Sequence, residues 1–233
     1  MCGRFAFFQP PEEVLAFFRC AAPVGMTPTY NAAPSQTLPV MVGRDGKRVM
    51  EMMRWGLVPS WSKDGKPGFS TNNARAEGLA DKPAFREPFR SRRCLIPADA
   101  FYEWAEQGPK QAYCVRRSSG EPFAMAGLWD RWHGPDGSSL DSFTIIVTAA
   151  NAVMGRFHHR MPAILPPSWW NAWLSPTTPP ADLTAMLAPC PDDVMTAYPI
   201  SDRVNTVRNN DPDLLHPQDP TAPPSNGQFR LDL

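Results

Sequence analysis

A chain of 233 residues with 42% hydrophobic side chains can bury one large core or two small ones. Its 23 Lys and Arg balance 23 Asp and Glu, which excludes a broad basic coat for nucleic acid but not a narrow arginine-lined groove. No apolar run approaches the ~20 residues of a membrane span. No basic and apolar leader opens the chain, and five scattered cysteines without a CxxC pair point to free thiols in a reducing cytoplasm.

In chain order, "MCGRF" comes first. A thiol at a terminus that normally frays is a liability, so Cys2 is either a chance tail residue or a functional one. "PPEEVLAFFRC" starts on proline, carries Glu12 and Glu13 in its first turn and repeats apolar residues at helical spacing; it reads as a helix over 11–20. "TLPVMVGRDGKRVMEMMRWG" reads as a hairpin turning at Asp45-Gly46. The arginine-dense "FRSRRC" at 89–94 suits phosphate contacts or a solvated loop. "CLIPADAFYEWAEQGPKQAYCVRR" and "EPFAMAGLWDRW" read as short strands turning at "SSGE" and "GPDGSS". "SFTIIVTAA" at 142–150 is apolar almost throughout and is expected to be the central strand. "PPSWWNAWL" and "PADLTAMLAP" are short proline-started helices. From about 211 the chain is proline-rich and aperiodic, a peripheral or disordered tail. Short strands with interspersed helices make an α+β or mainly-β single domain, with no boundary inside 1–210.

Four stretches place polar groups in apolar, strand-like surroundings: "MCGRF", "STNNARAE" (70–77), "FYEW" (101–104) and "GRFHHRMPAIL" (155–165). Glu103 lies between Tyr102 and Trp104, so strand alternation turns it to the face opposite both. If that face is a pocket, desolvation raises its pKa and makes it a proton shuttle; if not, it is an exposed acid. One of His158 and His159 is expected inside and the other in solvent. Asn73 and Arg75 share a face if 73–75 is a strand, although Asn72 and Asn73 read equally well as turn residues.

Two joint readings follow. Cys with His and Asn is the composition of a papain-like protease, but the surroundings of Cys2 lack that signature. Alternatively, loss of Met1 gives Cys2 a free α-amine beside its thiol. With a reference pKa of roughly 7.7–8.0 the amine is partly neutral at physiological pH. A 1,2-aminothiol condenses with an aldehyde, first as an imine and then as a five-membered thiazolidine, which a mid-chain cysteine cannot do. An aldehyde partner therefore makes sense of the opening residues.

"MCGRF" followed in order by "YNAAPSQ" (30–36), "RWGLVPSW" (54–61), "NNARAE" (72–77), "RCLIPADAFYEW" (93–104), "FTIIVTAAN" (143–151), "HHRMPAIL" (158–165) and "PISDRVNTVRNN" (199–210) closely resembles the SOS response-associated peptidase (SRAP) family. The resemblance implies a single compact α+β domain over 2–210, with a β-rich, barrel-like core, short peripheral helices and a positively charged DNA channel; residues 211–233 are the tail. It implies an abasic-site sensor that acts as a slow-turnover, self-sacrificing enzyme. The N-terminal Cys cross-links to the ring-opened sugar of abasic sites in single-stranded DNA and shields the lesion, with self-processing peptidase activity and scope for a lyase-like one.

By motif position the resemblance makes Cys2 the nucleophile and Asn73 the group that positions the terminus and the sugar. Glu103 becomes the proton shuttle and His158 the acid–base partner, since the family pattern is His, any residue, Arg, then Pro two residues on. Arg4, Arg75 and Arg160 match phosphate-holding arginines, Pro34 an apolar wedge and Trp61 a base-stacking platform. Some bacterial relatives carry a second tryptophan after "SW", where this chain has Ser62. No cofactor or metal is implied. The implied partner is single-stranded DNA with abasic sites, and the protein is expected to be a monomer, off the membrane, cytoplasmic and nucleoid-associated when bound to DNA. A peptidase acting on other proteins and a non-covalent reader of damaged or modified DNA are the alternatives.

Overall fold

The computed structural model describes residues 2–21, 25–67, 71–107 and 110–218. Its elements run β1 (Arg4–Phe7), α1 (Pro11–Phe18), β2 (Thr29–Ala32), β3 (Thr37–Arg44), β4 (Lys47–Trp55), β5 (Asn73–Arg75), α2 (Arg86–Ser91), β6 (Arg93–Ala98), β7 (Ala100–Trp104), β8 (Ala112–Arg117), β9 (Phe123–His133), β10 (Ser139–Ala149), β11 (Arg160–Pro162), β12 (Ile164–Leu165), α3 (Trp170–Leu174), α4 (Pro180–Ala185) and β13 (Met195–Ile200). Short 3₁₀ turns link several of them.

The hairpin forms as expected. Asp45 (φ 49°) and Gly46 (φ 73°) both take positive φ, the combination whose twist matches flanking strands, and β3 pairs with β4 from Thr37 opposite Arg54 to Arg44 opposite Lys47. Pairing continues from β3 to β6, β6 to β9, β9 to β10, and back from β10 to β4 by a parallel contact. These five strands close a barrel, which removes their sheet edges. The barrel is tight at Gly127, which lies opposite both Cys94 and Ile145; a Cβ there would meet Ile96 Cδ1 and sit 2.7 Å from Thr144 O. The apolar strand β10 is central, pairing with β4, β5, β9 and β11.

A second sheet, ordered β13-β8-β7-β1-β2, packs beside the barrel. The chain passes from β6 to β7 at Asp99, whose buried carboxylate accepts the backbone N–H of Phe8 (2.6 Å) and Gln9 (3.1 Å). Phe5 of β1 meets Trp55 at 5.2 Å between ring centres, and Trp55 stacks toward Phe143 at 6.2 Å. The core between the sheets is therefore aromatic, and the fold is one compact mixed domain with a five-stranded barrel core and few short helices.

Helix α1 ends two residues earlier than the apolar spacing suggests, because Arg19 turns into the left-handed region (φ 49°). The "FRSRRC" cluster is neither a phosphate site nor a solvated loop. Arg93 is buried, and its guanidinium donates to Phe89 O, Arg90 O, Trp173 O and Ser175 O, the carbonyls at the ends of α2 and α3. Arg92 pairs with buried Asp130 at 3.1 Å, and Arg90 with Glu87 at 3.2 Å. Past position 210 the chain stays packed as far as it is described. Leu214 is fully buried, Gln218 N donates to Pro199 O, and Arg203 binds Asp211 at 2.8 Å. Residues 219–233 of the expected tail lie outside the described residues. Among the described residues no helix is long and apolar enough to cross a membrane.

Candidate active site

Strand alternation places the first catalytic candidates. In β1 and β7, Arg4 lies opposite Tyr102, Phe5 opposite Phe101 and Ala6 opposite Ala100. Carried one residue further, this register sets Gly3 opposite Glu103, so the chain start lies along the strand that bears the candidate acid. Tyr102 and Trp104 pack on the outer side of the second sheet, where Tyr102 Oη donates to Tyr30 O (2.7 Å) and Trp104 Nε1 to Asn205 Oδ1 (2.8 Å). Glu103 points the other way, with Phe101, and is 3% exposed. Burial raises its pKa above the usual carboxylate range.

Cys2 is also fully buried, with Sγ 4.0 Å from Arg4 O. Burial, then the charge of Glu103, push its thiol far above the ordinary range. Its carbonyl accepts a hydrogen bond from Asn73 Nδ2 at 2.9 Å. Asn73 is held from below: Ile145 lies beside it in β10, and Asn72 O accepts both Ile145 N (3.1 Å) and Trp55 Nε1 (2.9 Å). Gly56 completes this support. Its φ of 116° is open to glycine, and a Cβ there would come within 3.0 Å of Asn72 Oδ1. The "RWG" and "NNAR" stretches are thus one construction that fixes the carbonyl of Cys2.

The two histidines divide as expected. His158 is buried and His159 exposed, with the rings stacked at 4.5 Å. His158 Nδ1 accepts Arg160 N–H at 2.9 Å, and Nε2 lies 3.1 Å from Glu106 Oε1. Burial lowers the pKa of His158, so it is held neutral. Glu106 lies within the electrostatic reach of Glu103, which links the Cys2–Asn73–Glu103 group to the histidine.

The arginines differ in what they face. Arg75 is exposed at the end of β5. Arg160 makes a two-contact pair with Glu77 at 2.7 and 2.8 Å. Arg4 turns inward to Asn31 Oδ1 (2.9 Å), Val204 O (2.6 Å) and Asn205 O (3.2 Å), so its guanidinium ties the closing segment to β1. Asn31 adds three bonds of its own to the carbonyls of Val204, Thr206 and Asn209.

A cleft of about 920 Å³ opens beside this group, lined by Trp61, Lys66, Asn73, Arg75, Lys82 and Phe85 among others. Trp61 is 64% exposed on its wall. Ser62, in the place of a second tryptophan, has a structural part: its carbonyl accepts Trp132 Nε1 at 2.7 Å. Pro34 is partly exposed in the turn where Ser35 takes φ 77°, with Ser35 N bonded to Trp55 O, and Arg54 donates to Ser35 Oγ.

Sequence reasoning passed over Glu106, Glu77, Lys66, Lys82 and Arg54. Glu106 had no local signal, since its place depends on the 154–158 loop folding back so that Glu106 N donates to Phe157 O (3.1 Å). Lys66 and Lys82 join Arg75 only through the fold.

The profile of the family described as SOS response associated peptidase (SRAP) matches residues 1–207. The abasic site processing protein YoqW of Bacillus subtilis (strain 168) is 42% identical over 221 residues, covering 92% of this chain and 99% of that protein. The abasic site processing protein HMCES of Gallus gallus is 34% identical over 223 residues, covering 82% of this chain and 66% of that protein. A crystal structure of a protein from Bacteroides thetaiotaomicron superposes with a TM-score of 0.83 at 26% identity, over 93% of this chain and 100% of that one. A structure from Bordetella bronchiseptica does so at 0.75 and 27%, over 86% and 100%. With its ordered motifs, its barrel and its buried N-terminal cysteine all carried on one matched span, this chain belongs to the SOS response associated peptidase (SRAP) family.

Proposed function

We propose that this protein processes abasic sites in single-stranded DNA by joining Cys2 covalently to the ring-opened sugar. The observation that carries the reading is the bond from Asn73 Nδ2 to Cys2 O, which fixes the chain start beside a buried carboxyl and at the edge of a cleft lined with cations and an aromatic.

The chemistry runs in three steps. Hydrolysis of the Met1–Cys2 amide consumes one water and leaves the Cys2 α-amine. Glu103, protonated through burial, gives a proton to the ring oxygen of the sugar and takes one from the anomeric hydroxyl, releasing the C1′ aldehyde. The amine adds to that carbon and loses one water to form an imine. The thiol then adds to the same carbon, its proton passes to the imine nitrogen, and the thiazolidine closes. Condensation therefore releases one water for each cross-link.

Arg75, Lys66 and Lys82 supply the positive charge of the cleft, and Trp61 presents a face on which a base can stack. Arg160 reaches a phosphate when it exchanges Glu77 for it, and Arg4 acts from inside by holding the strand that carries Cys2. Pro34 wedges the base stack. The protein works as a monomer in the cytoplasm or on the nucleoid. A general cysteine peptidase is disfavoured by the Cys2 thiol itself, which burial holds protonated where a protease lowers its pKa.

Intact mass measured with and without an abasic single-stranded oligonucleotide tests this. The expected result is a chain lacking Met1 and a denaturation-resistant adduct lighter by one water than the sum of its parts. A protein that binds the oligonucleotide but leaves no adduct, or that turns over peptides, overturns it.

A further inference from the structure

Glu106, His158 and His159 bring three donor atoms within 4.8 Å of one another, the composition of a metal site. The hydrogen bonds argue otherwise. Arg160 N–H points at His158 Nδ1 from 2.9 Å, so that nitrogen carries a lone pair and the ring proton sits on Nε2. Nε2–H then donates to Glu106 Oε1 at 3.1 Å. A metal on Nε2 would need that proton to leave, and the other ring nitrogen cannot take it while Arg160 N–H points there. Metal-bound histidines normally donate from their second nitrogen, whereas this one accepts.

The surroundings hold the arrangement from several sides. Glu106 N donates to Phe157 O at 3.1 Å, and the Phe157 ring stacks on Tyr113 of β8 at 4.0 Å, which fixes the loop that carries His158. His159 Nδ1 lies 3.3 Å from the Glu106 carboxylate and stacks on the His158 ring. The charged groups around the imidazole are Glu106 after β7, Glu103 on β7 and His159 beside it. Arg160 turns its guanidinium away to Glu77.

We infer that Glu106 is a positioning residue: together with the Arg160 amide it grips both ring nitrogens of His158 and presents a neutral imidazole as a fixed Nε2–H donor at the reaction centre. His158 is then a donor to sugar or adduct oxygen and not a base, which leaves proton removal to Glu103. The kinetic part of this inference rests on the aminothiol reading; the ring geometry does not.

The test uses the full chain with nitrogen-15 in its histidines, of which there are four. Two-bond proton–nitrogen spectra report the tautomer of His158, assigned through His158→Asn, in the wild type, Glu106→Ala and Glu106→Gln. The wild type is expected to show one tautomer with Nε2 protonated, unchanged by added Zn²⁺. Glu106→Gln keeps an acceptor oxygen and should keep that pattern, while Glu106→Ala should broaden or average the ring signals. With abasic single-stranded DNA at saturation, Glu106→Ala should slow adduct formation about tenfold, the equivalent of one charged hydrogen bond lost from the transition state, and Glu106→Gln should recover most of the rate. A wild-type ring protonated on Nδ1, a Zn²⁺-dependent shift of Nε2, or a Glu106→Ala spectrum identical to wild type would overturn the inference. If no variant and no wild type forms an adduct, the aminothiol reading fails while the spectra still decide the role of Glu106.

Discussion

The two halves of the candidate site are built on opposite principles. The inner half, Cys2, Asn73 and Glu103, is nearly dry, and its groups are fixed by the strand register and by Trp55 beneath them. The outer half, Trp61, Lys66, Arg75 and Lys82, is open to solvent, and its side chains share a wall without being locked to one another. Burial tunes protonation and geometry, which chemistry needs. Exposure leaves charge and aromatic surface available to a flexible polyanion. Substitutions in the inner half should therefore change rate with little effect on affinity, and those in the outer half should do the reverse.

The largest expected effect is complete. Cys2→Ala should leave no adduct after denaturation yet bind abasic single-stranded DNA close to the wild-type level. Cys2→Ser keeps an amine but closes no thiazolidine, so a labile imine is the most it can yield. A chain that retains Met1 and still cross-links at the normal rate would remove the basis of the distinction.

Glu103→Gln comes next. Positioned acid–base catalysis contributes ~10²–10⁴-fold, and the loss of cross-linking rate should fall in that range with affinity kept. The wild-type rate profile should have an acidic limb at higher pH than an ordinary glutamate gives, and the variant should lack it. The same carboxyl has a stability signature. Between the ordinary carboxylate range and its raised folded value, the folded state holds a proton that the unfolded chain has released, so wild-type stability falls as pH rises through that window. Denaturant unfolding at several pH values should show Glu103→Gln more stable than wild type above the window and equal to it below. A rate for Glu103→Gln that matches wild type from about pH 5 to 8 would move the proton work elsewhere.

In the outer half, Trp61→Ala should weaken binding by the value of one stacked base, ~1–3 kcal/mol, while the cross-linking rate at saturating DNA stays near wild type. The smallest effect belongs to Arg75→Ala. Each phosphate contact on a single strand contributes roughly 0.7 to the slope of log affinity against log salt, and the slope should fall by about that much. Unchanged affinity and slope in Arg75→Ala would show that the outer half is not the DNA face.

Much of this architecture was legible in the sequence because it rests on short-range rules. Asp45-Gly46 sets its own turn, the apolar run at 142–150 can be satisfied only inside, and Tyr102-Glu103-Trp104 sorts itself across a strand by alternation. The arginines were not legible in this way. "FRSRRC" is the densest basic run, yet Arg93 closes the carbonyl ends of two helices and Arg92 serves a buried aspartate, whereas isolated Arg75 faces the cleft. Charge density along a chain says nothing of which carbonyls and carboxylates will fold against it.

The sequence alone determined the ordered motifs, the 1,2-aminothiol latent in "MCGRF" and the strands that carry Asn73 and Glu103. Covalent order and side-chain period are local properties, complete before folding. The tertiary structure decided what depends on chain segments far apart: the parallel contact of β4 with β10 that closes the barrel, the grip of Glu106 on His158 and the inward turn of Arg4 to a segment 200 residues away. A hydrogen bond or a desolvated carboxyl exists only when distant parts of the chain have excluded water together, and no local pattern records that meeting.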